Sequence, residues 1–468
     1  MKNVLFISYY FPPIGGAGVQ RSAKFVKYLP EFGWNPIVLT VRPDDYSIHR
    51  EFKLDGSLAK DVEGRCEVHR TRDWEPRRLR RALEKLHLFR LFWFLLYPIF
   101  WEKEFFWALG AIPRALKIIR EQRPCAIYTS SAPYSLVVMG FLLRLWTRVP
   151  WVADLRDLWT QDSLLAWPSR MHYRATAAAE RFMLRRADTV IANTPLAAQR
   201  MREFLGPDRA GRVAAIPNGY DEEDIPKNNP PPQNGRPLTI THIGTFHDLR
   251  AGAGGGASRN WLRRLAGGMS YQPFALDRSM RTPKVLLEGL KILLDRNPEL
   301  SGKIRLCFIG YLHEGWRARI KELGLEDCVA IPGYVPHAEA MKLLGEADVL
   351  FCVQVGFEDR AKAVPYVPAK LYEYLATGKP ILAPVAEGDT KDVLLRSGLG
   401  ILADPTSPEN VANDLMELLK QPHDAGTWAM PKWEFIRQFE RRKLTERVAD
   451  LFSQNLSPRV QSERSNEC

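Results

Sequence analysis

Two short stretches carry residue types fit for chemistry. In VPAKLYEYLATGKPILAPV, residues 367–385, Lys370 and Glu373 stand three apart within AKLYEYLA, on neighbouring positions of one helix face. Pro365 and Pro368 precede that helix, so its N-terminus opens toward an anion with the Lys370 ammonium beside it. Glu373 supplies a carboxylate able to accept hydrogen bonds from vicinal hydroxyls, as at a ribose. A surface Lys–Glu pair contributing a few tenths of a kcal/mol is the competing reading of the same residues. The other stretch is FPPIGGAGVQR, residues 11–21. Its prolines end a strand, and Gly15, Gly16 and Gly18 permit turns and close approaches that a Cβ would block. The spacing is not GxGxxG, so a phosphate lying against the turn and a tight helix-on-strand connection both stay open.

The elements that must position these groups alternate along the chain. VLFIS, PIVLT, CAIYTS, WVADL, TVIAN and RVAAIPN read as strands with helical or polar sequence between them, which predicts a parallel sheet covered on both faces over residues 1–220. The stretch 221–237, rich in Pro, Asn and charge, reads as a linker. LTITHIG, IRLCFIG, CVAIPGYV, ADVLFCV, PILAPV and GILAD then repeat the pattern over 238–430. Residues from about 247 to 280 read as an insertion or flexible loop. An amphipathic helix is expected over 431–456, packing back on the N-terminal domain, followed by a disordered tail at 457–468. Ligands of open sheets bind outside the carboxyl ends of the strands, so two such halves imply a ligand-binding cleft.

With 468 residues the chain is too long for one ordinary core, and its formal charge of +12 favours an anionic partner. The six cysteines show neither metal-ligand pairing nor a secretory disulfide pattern. Residues 91–101, LFWFLLYPIFW, are too short to span a bilayer. RRLRRALEK lies upstream and Phe105, Phe106 and Trp107 downstream, so 77–107 reads either as an interfacial contact with an anionic membrane or as a buried helix pair with a solvated arginine face. The aromatics cluster here rather than interleaving with basic residues along a groove, which argues against a nucleic-acid partner.

VPAKLYEYLATGKPIL resembles the donor-site motif of family 4 retaining glycosyltransferases, in the branch with a P-x-K-x-x-E core. The turn GGAG, the segments SSAPYS (130–135), WVADLRDLW (151–159) and AAIPNGYD (214–221), and GTF at 244–246 resemble that branch too, in the expected order from residue 2 to about 450. The resemblance implies the GT-B fold: α/β, with two Rossmann-like doubly wound parallel-sheet domains facing a central cleft. It implies that Glu373 holds the ribose and that Lys370, with the amides of Ala369, Lys370 and Leu371, meets the diphosphate. Gly15 and Gly16 approach from the other domain, and Gly244 and Thr245 belong to the same site. Arg281 and Lys284 match the family's basic pair on the diphosphate, with Arg278 competing.

This sequence departs from the family at two places. The first of the family's two glutamates is Pro365 here, which leaves the sugar contact open. Where many relatives have His before Asp, this chain has Arg156–Asp157, and arginine does not act as a base at neutral pH. Asp154 and Asp157 are then the carboxylates near an acceptor hydroxyl, with Arg156 binding phosphate or holding Asp157. The implied reaction is metal-independent and needs no cofactor, with a UDP- or GDP-type nucleotide sugar as donor and a lipid-linked or saccharide acceptor. It is expected at the cytoplasmic face of the plasma membrane, in cell-surface polysaccharide or glycolipid synthesis. A nucleotide-sugar epimerase of the same fold and a non-catalytic basic membrane-binding protein are the alternatives.

Overall fold

The structure, a computed structural model, describes every residue except 16, 47–55, 76–81, 83–84, 86–101, 162–164, 226–235, 249–270, 421–429 and 457–468. The chain divides into two units, one of Met1–Asn218, Leu262–Pro273 and Arg441–Cys468, the other of Gly219–Trp261 and Phe274–Glu440.

In the first unit, β1 (Lys2–Ser8), β2 (Trp34–Val41), β3 (Glu67–Thr71), β4 (Ala126–Ser131), β5 (Trp151–Leu155), β6 (Thr189–Ala192) and β7 (Val213–Ala215) form one parallel sheet in the order β3-β2-β1-β4-β5-β6-β7. Successive β1 residues face opposite sides. Val4 and Phe6 share a core with Phe25, Val26, Trp34, Val448 and Phe452, whereas Leu5 and Ile7 share another with Trp107, Ala111, Leu136 and Met139. Burial on both faces is why β1, β2, β5 and β6 read as near-continuous apolar runs. The strand order reverses between β1 and β4, so the glycine turn after β1 and SSAPYS after β4 flank the crevice that such a reversal creates.

The second unit repeats the plan. Its strands are β8 (Leu238–Ile243), β9 (Leu276–Asp277), β10 (Ile304–Ile309), β11 (Val329–Gly333), β12 (Val349–Phe351), β13 (Gly356–Phe357), β14 (Ile381–Pro384) and β15 (Gly400–Ala403). Six are parallel in the order β11-β10-β8-β12-β14-β15, and β9 pairs with β13 alone. The reversal lies between β8 and β12, beside Gly244 and the Ala369–Ala376 helix.

Several expectations change. The chain leaves the first unit at Asn218–Gly219, ahead of the 221–237 linker. Tyr220 joins the core of the second unit, and Asp221, 4% exposed, caps a short turn over Glu222–Asp224; residues 226–235 of that linker lie outside the described residues. The helix expected over 431–456 is two, Trp433–Arg437 in the second unit and Arg441–Gln454 in the first, separated around the buried Phe439. Residues 86–101 of the 77–107 segment lie outside the described residues. At its downstream end Phe105 and Trp107 are 8% and 0% exposed. They belong to the Phe105–Gln122 helix, whose spacing turns Trp107, Ala111, Ala115 and Ile118 onto the sheet, so these aromatics are core rather than membrane-facing. Among the described residues no helix is long and apolar enough to cross a membrane. Of the 247–280 insertion, 249–270 lie outside the described residues; Tyr271 at its end pairs with Trp167 of the first unit through hydrogen bonds of 2.7 and 2.8 Å. The 457–468 tail also lies outside the described residues.

Candidate functional site

In the second unit, AKLYEYLA forms the helix Ala369–Ala376, started by Pro368 with no side chain capping its N-terminus. Leu371, Tyr372, Tyr374 and Leu375 turn into the core, which leaves Lys370 and Glu373 on the partly buried opposite side. The Tyr374 hydroxyl accepts the Ile243 N–H at 2.8 Å and so ties the helix to the end of β8. The Leu371 amide, expected to meet the diphosphate, donates to Pro368 O at 2.9 Å, and its side chain is core. The Ala369 and Lys370 amides head the helix.

Lys370 Nζ lies 2.8 Å from His242 Nε2 and donates to Ile243 O at 2.9 Å. His242 Nδ1 lies 2.8 Å from Phe351 O. A carbonyl only accepts, so Nδ1 carries the proton and Nε2 accepts from Lys370. Burial, then the Lys370 charge, keeps the His242 pKa well below the ordinary range, so the ring is neutral. Burial, opposed by Cys352 and Glu373 and helped by Arg281, lowers Lys370 to about 7. Gly244, at φ +123°, leaves room for the ammonium, since a Cβ there would stand 3.1 Å from Nζ. Thr245 follows it, exposed.

The three basic residues differ in position. Arg281 is partly buried, acts electrostatically on Lys370, His242 and His247, and has its own pKa lowered by burial. Arg278 is exposed but also acts on His247, which desolvation and the two arginines lower to about 4. Lys284 is exposed and lines a cavity of about 310 Å³ with Leu287, Glu288, Trp316 and Arg319. Pro365 is buried, and the next carbonyl, Tyr366 O, accepts from Gln354 and Thr390 at 2.8 Å each, so the loop ahead of the helix is fixed.

In the first unit the residues at the strand ends have divided tasks. Asp154 is 0% exposed, and both its oxygens accept from Arg21, at 2.8 and 3.0 Å. Tyr128 OH donates to the same carboxylate, and Arg21 also donates to Ile216 O and Pro217 O. This sealed pair is built to join the helix after the glycine turn to β5 and to the chain's exit. Arg156 donates to Gly18 O at 2.5 Å, to Ser131 O at 3.4 Å and to Ala132 O, bracing the two loops of the β1–β4 crevice. A Cβ on Gly18 would stand 2.2 Å from the Arg156 guanidinium, so that glycine serves the arginine. Gly15 lies on the turn; Gly16 lies outside the described residues. Asp157 is the exposed carboxylate, and surrounding protein lifts its pKa by desolvation against the opposing effect of Arg156.

Two carboxylates that no local motif announces, Glu102 half-buried and Glu180 fully buried, stand in the same unit. Glu102 caps the Ser135–Thr147 helix by accepting the Tyr134 and Ser135 amides at 2.9 and 2.8 Å, and burial together with Glu104 raises it to about 7. Glu180 accepts the Thr160 amide at 3.0 Å and the Thr160 hydroxyl, and burial raises it to about 7 from an ordinary 4.5. A carboxyl with a raised folded pKa holds its proton in the folded state while the unfolded chain loses it. Its stabilising contribution is therefore complete below pH 4.5 and is lost as pH rises to about 7. Glu180→Gln is expected to flatten the fall of the thermal midpoint between those pH values, measured by calorimetry. Among the described residues no group of three or more His, Cys, Asp or Glu could hold a metal ion.

Comparison with known proteins follows the two units. Residues 15–219 match a family model described as glycosyl transferase 4-like domain, and residues 281–421 match one described as glycosyl transferases group 1. A D-inositol 3-phosphate glycosyltransferase of Nocardiopsis dassonvillei is 25% identical over 292 residues, 59% of this chain and 58% of that protein. The chain thus spans little more than half the length of that relative. Among solved structures, Anabaena Alr3699/HepE in complex with UDP and glucose superposes with a TM-score of 0.59 at 16% identity, covering 97% of this chain and 100% of the other. Sucrose-phosphate synthase from Thermosynechococcus elongatus gives 0.60 at 16% identity, covering 97% and 99%. At such identities these likenesses speak for the fold.

Proposed function

We propose that the chain, which has the GT-B fold and matches a glycosyl transferase 4-like domain ahead of a group 1 domain, is a glycosyltransferase of that kind, and that it transfers a sugar with retention from a nucleoside diphosphate donor to a lipid-linked acceptor. The donor is of UDP or GDP type, and the UDP complex of the Anabaena neighbour supports the former. The observation that carries the reading is the set of basic groups at the β8–β12 reversal: Lys370 and Arg281 converge beside an uncapped helix N-terminus. A diphosphate supplies the negative charge that these groups lack.

In the reaction the bond from the anomeric carbon to the diphosphate oxygen breaks, and the acceptor oxygen bonds to that carbon on the same face. The acceptor proton passes to the leaving phosphate oxygen. Lys370, Arg281 and the Ala369 and Lys370 amides stabilise the charge that collects on the diphosphate, fixed in place before the reaction, and the step needs no metal or cofactor. Glu373 takes the ribose hydroxyls. Asp157 is the carboxylate left to meet the acceptor, while Asp154 is reassigned to positioning through Arg21. The basic stretch within 77–107 supports work at the inner face of the plasma membrane, on cell-surface polysaccharide or glycolipid.

The test is a panel of UDP-, GDP- and dTDP-sugars scored by thermal stabilisation, since a bound donor raises apparent stability by mass action. One nucleotide class is expected to raise the midpoint, and Glu373→Ala to abolish the rise while keeping the unliganded midpoint. A panel without effect, or an unchanged response in Glu373→Ala, overturns the reading.

A further inference from the structure

We propose that His242 is the positioning residue of the donor site, holding the Lys370 amine at the place where a diphosphate oxygen arrives. The inference rests on the donor-site reading above and adds a residue outside the helix motif. His242 is 1% exposed at the end of β8, clamped from three sides. Its Nδ1–H donates to Phe351 O on β12, its ring stacks on Phe246 at 4.1 Å and 18°, and its Nε2 faces Lys370 Nζ at 2.8 Å. The ring is an extended lever between two strand ends, and it aims one lone pair at the amine.

A lysine has four flexible carbons and three donors. Here Ile243 O and His242 Nε2 take two of them, under the bare Cα of Gly244, and the third is left for a ligand. The groups that face Lys370 are Glu373 on its own helix, Cys352 after β12, Arg281 ahead of the Lys284–Arg296 helix, and His242 on β8. Those that face His242 are Lys370 and Arg281. With so little opposing negative charge and such burial, the amine is about half protonated near pH 7 and mostly neutral at pH 8. An arriving diphosphate restores its proton, because an adjacent opposite charge favours the charged form. Donor binding at pH 8 is therefore coupled to proton uptake, and His242 keeps Lys370 where that coupling occurs.

The experiment is calorimetry of UDP and GDP binding to the full chain at pH 8 in buffers of different ionisation heat, for wild type, His242→Phe, His242→Gln and Lys370→Ala. Wild type is expected to take up part of a proton on binding. His242→Phe keeps the ring and the stacking but loses both polar contacts, so Lys370 swings toward water and is charged beforehand. Uptake should vanish and affinity fall by about tenfold or more. His242→Gln reaches Lys370 with an amide oxygen and should restore most of both. Wild-type affinity and uptake in His242→Phe overturn the proposal, as does equal impairment of the Phe and Gln variants, which would make His242 a packing residue. Failure of the wild type itself to bind either nucleotide overturns the donor-site reading, a result separable from the other two.

Discussion

Lys370→Ala is expected to lower kcat by about 10²–10³-fold, the cost of deleting one fixed donor to developing charge, with the fold intact. The side chain is held by two acceptors, His242 Nε2 and Ile243 O, and its position is set before any ligand arrives. Nothing in the core depends on it, since Leu371, Tyr372, Tyr374 and Leu375 carry the packing of the same helix. The loss should therefore appear in turnover and donor affinity rather than in the thermal midpoint. Lys370→Arg should not rescue it: a planar guanidinium is wider than an ammonium and must fit beneath Gly244, where even a Cβ would stand 3.1 Å from Nζ. Steady-state kinetics with the donor identified by the nucleotide panel measure both variants. Activity in Lys370→Ala within a few-fold of wild type would remove Lys370 from the chemistry.

Asp154→Ala is expected to destabilise the first unit by about 3–5 kcal/mol, the range for removing one partner of a buried ion pair. Arg21, 4% exposed, would keep its carbonyl acceptors at Ile216 and Pro217 but lose the carboxylate that neutralises it. Tyr128 would lose its acceptor in the same step. The double variant Arg21→Met, Asp154→Leu should be more stable than Asp154→Ala, because it leaves no buried charge uncompensated. Urea unfolding reads both. An Asp154→Ala protein with wild-type stability and no activity would return Asp154 to a direct part in the chemistry, as the sequence alone had suggested.

How legible a feature was depended on how local its cause is. All six strands of the large sheet in the second unit were legible in the sequence, most plainly β12 and β14, whose residues are buried throughout and so read as apolar runs. In the first unit β3, EVHRT, escaped notice. It is an edge strand whose Glu67 is exposed and whose other residues are half-buried, so pairing with β2 rather than hydrophobicity makes it a strand. The Lys370–Glu373 pair was readable since one helix carries both. His242 was not, since 128 residues separate it from the lysine it contacts. Arg21 and Asp154, 133 residues apart, were each visible as charged residues near glycine and strand signals, but only the fold shows that each is spent on the other. Phe105 and Trp107 misled for the opposite reason: beside a long aromatic run they resembled surface, and the inward stripe of the following helix decides otherwise.

The Arg441–Gln454 helix is translated after the second unit, yet it supplies Leu444, Val448, Ala449 and Phe452 to a core shared with β1, β2, β4, β5, β6 and the Ala17–Tyr28 helix. Trp34 and Tyr128 meet Phe452 at ring distances of 5.1 and 6.0 Å. The second unit has no such debt to the end of the chain: its segments are complete once Glu440 has emerged. Synthesis thus inverts the usual order in which the N-terminal domain folds first. Throughout translation of the second unit Trp34 and Tyr128 lack the Phe452 ring that packs on them, and that side of the sheet closes only when the Arg441–Gln454 helix emerges.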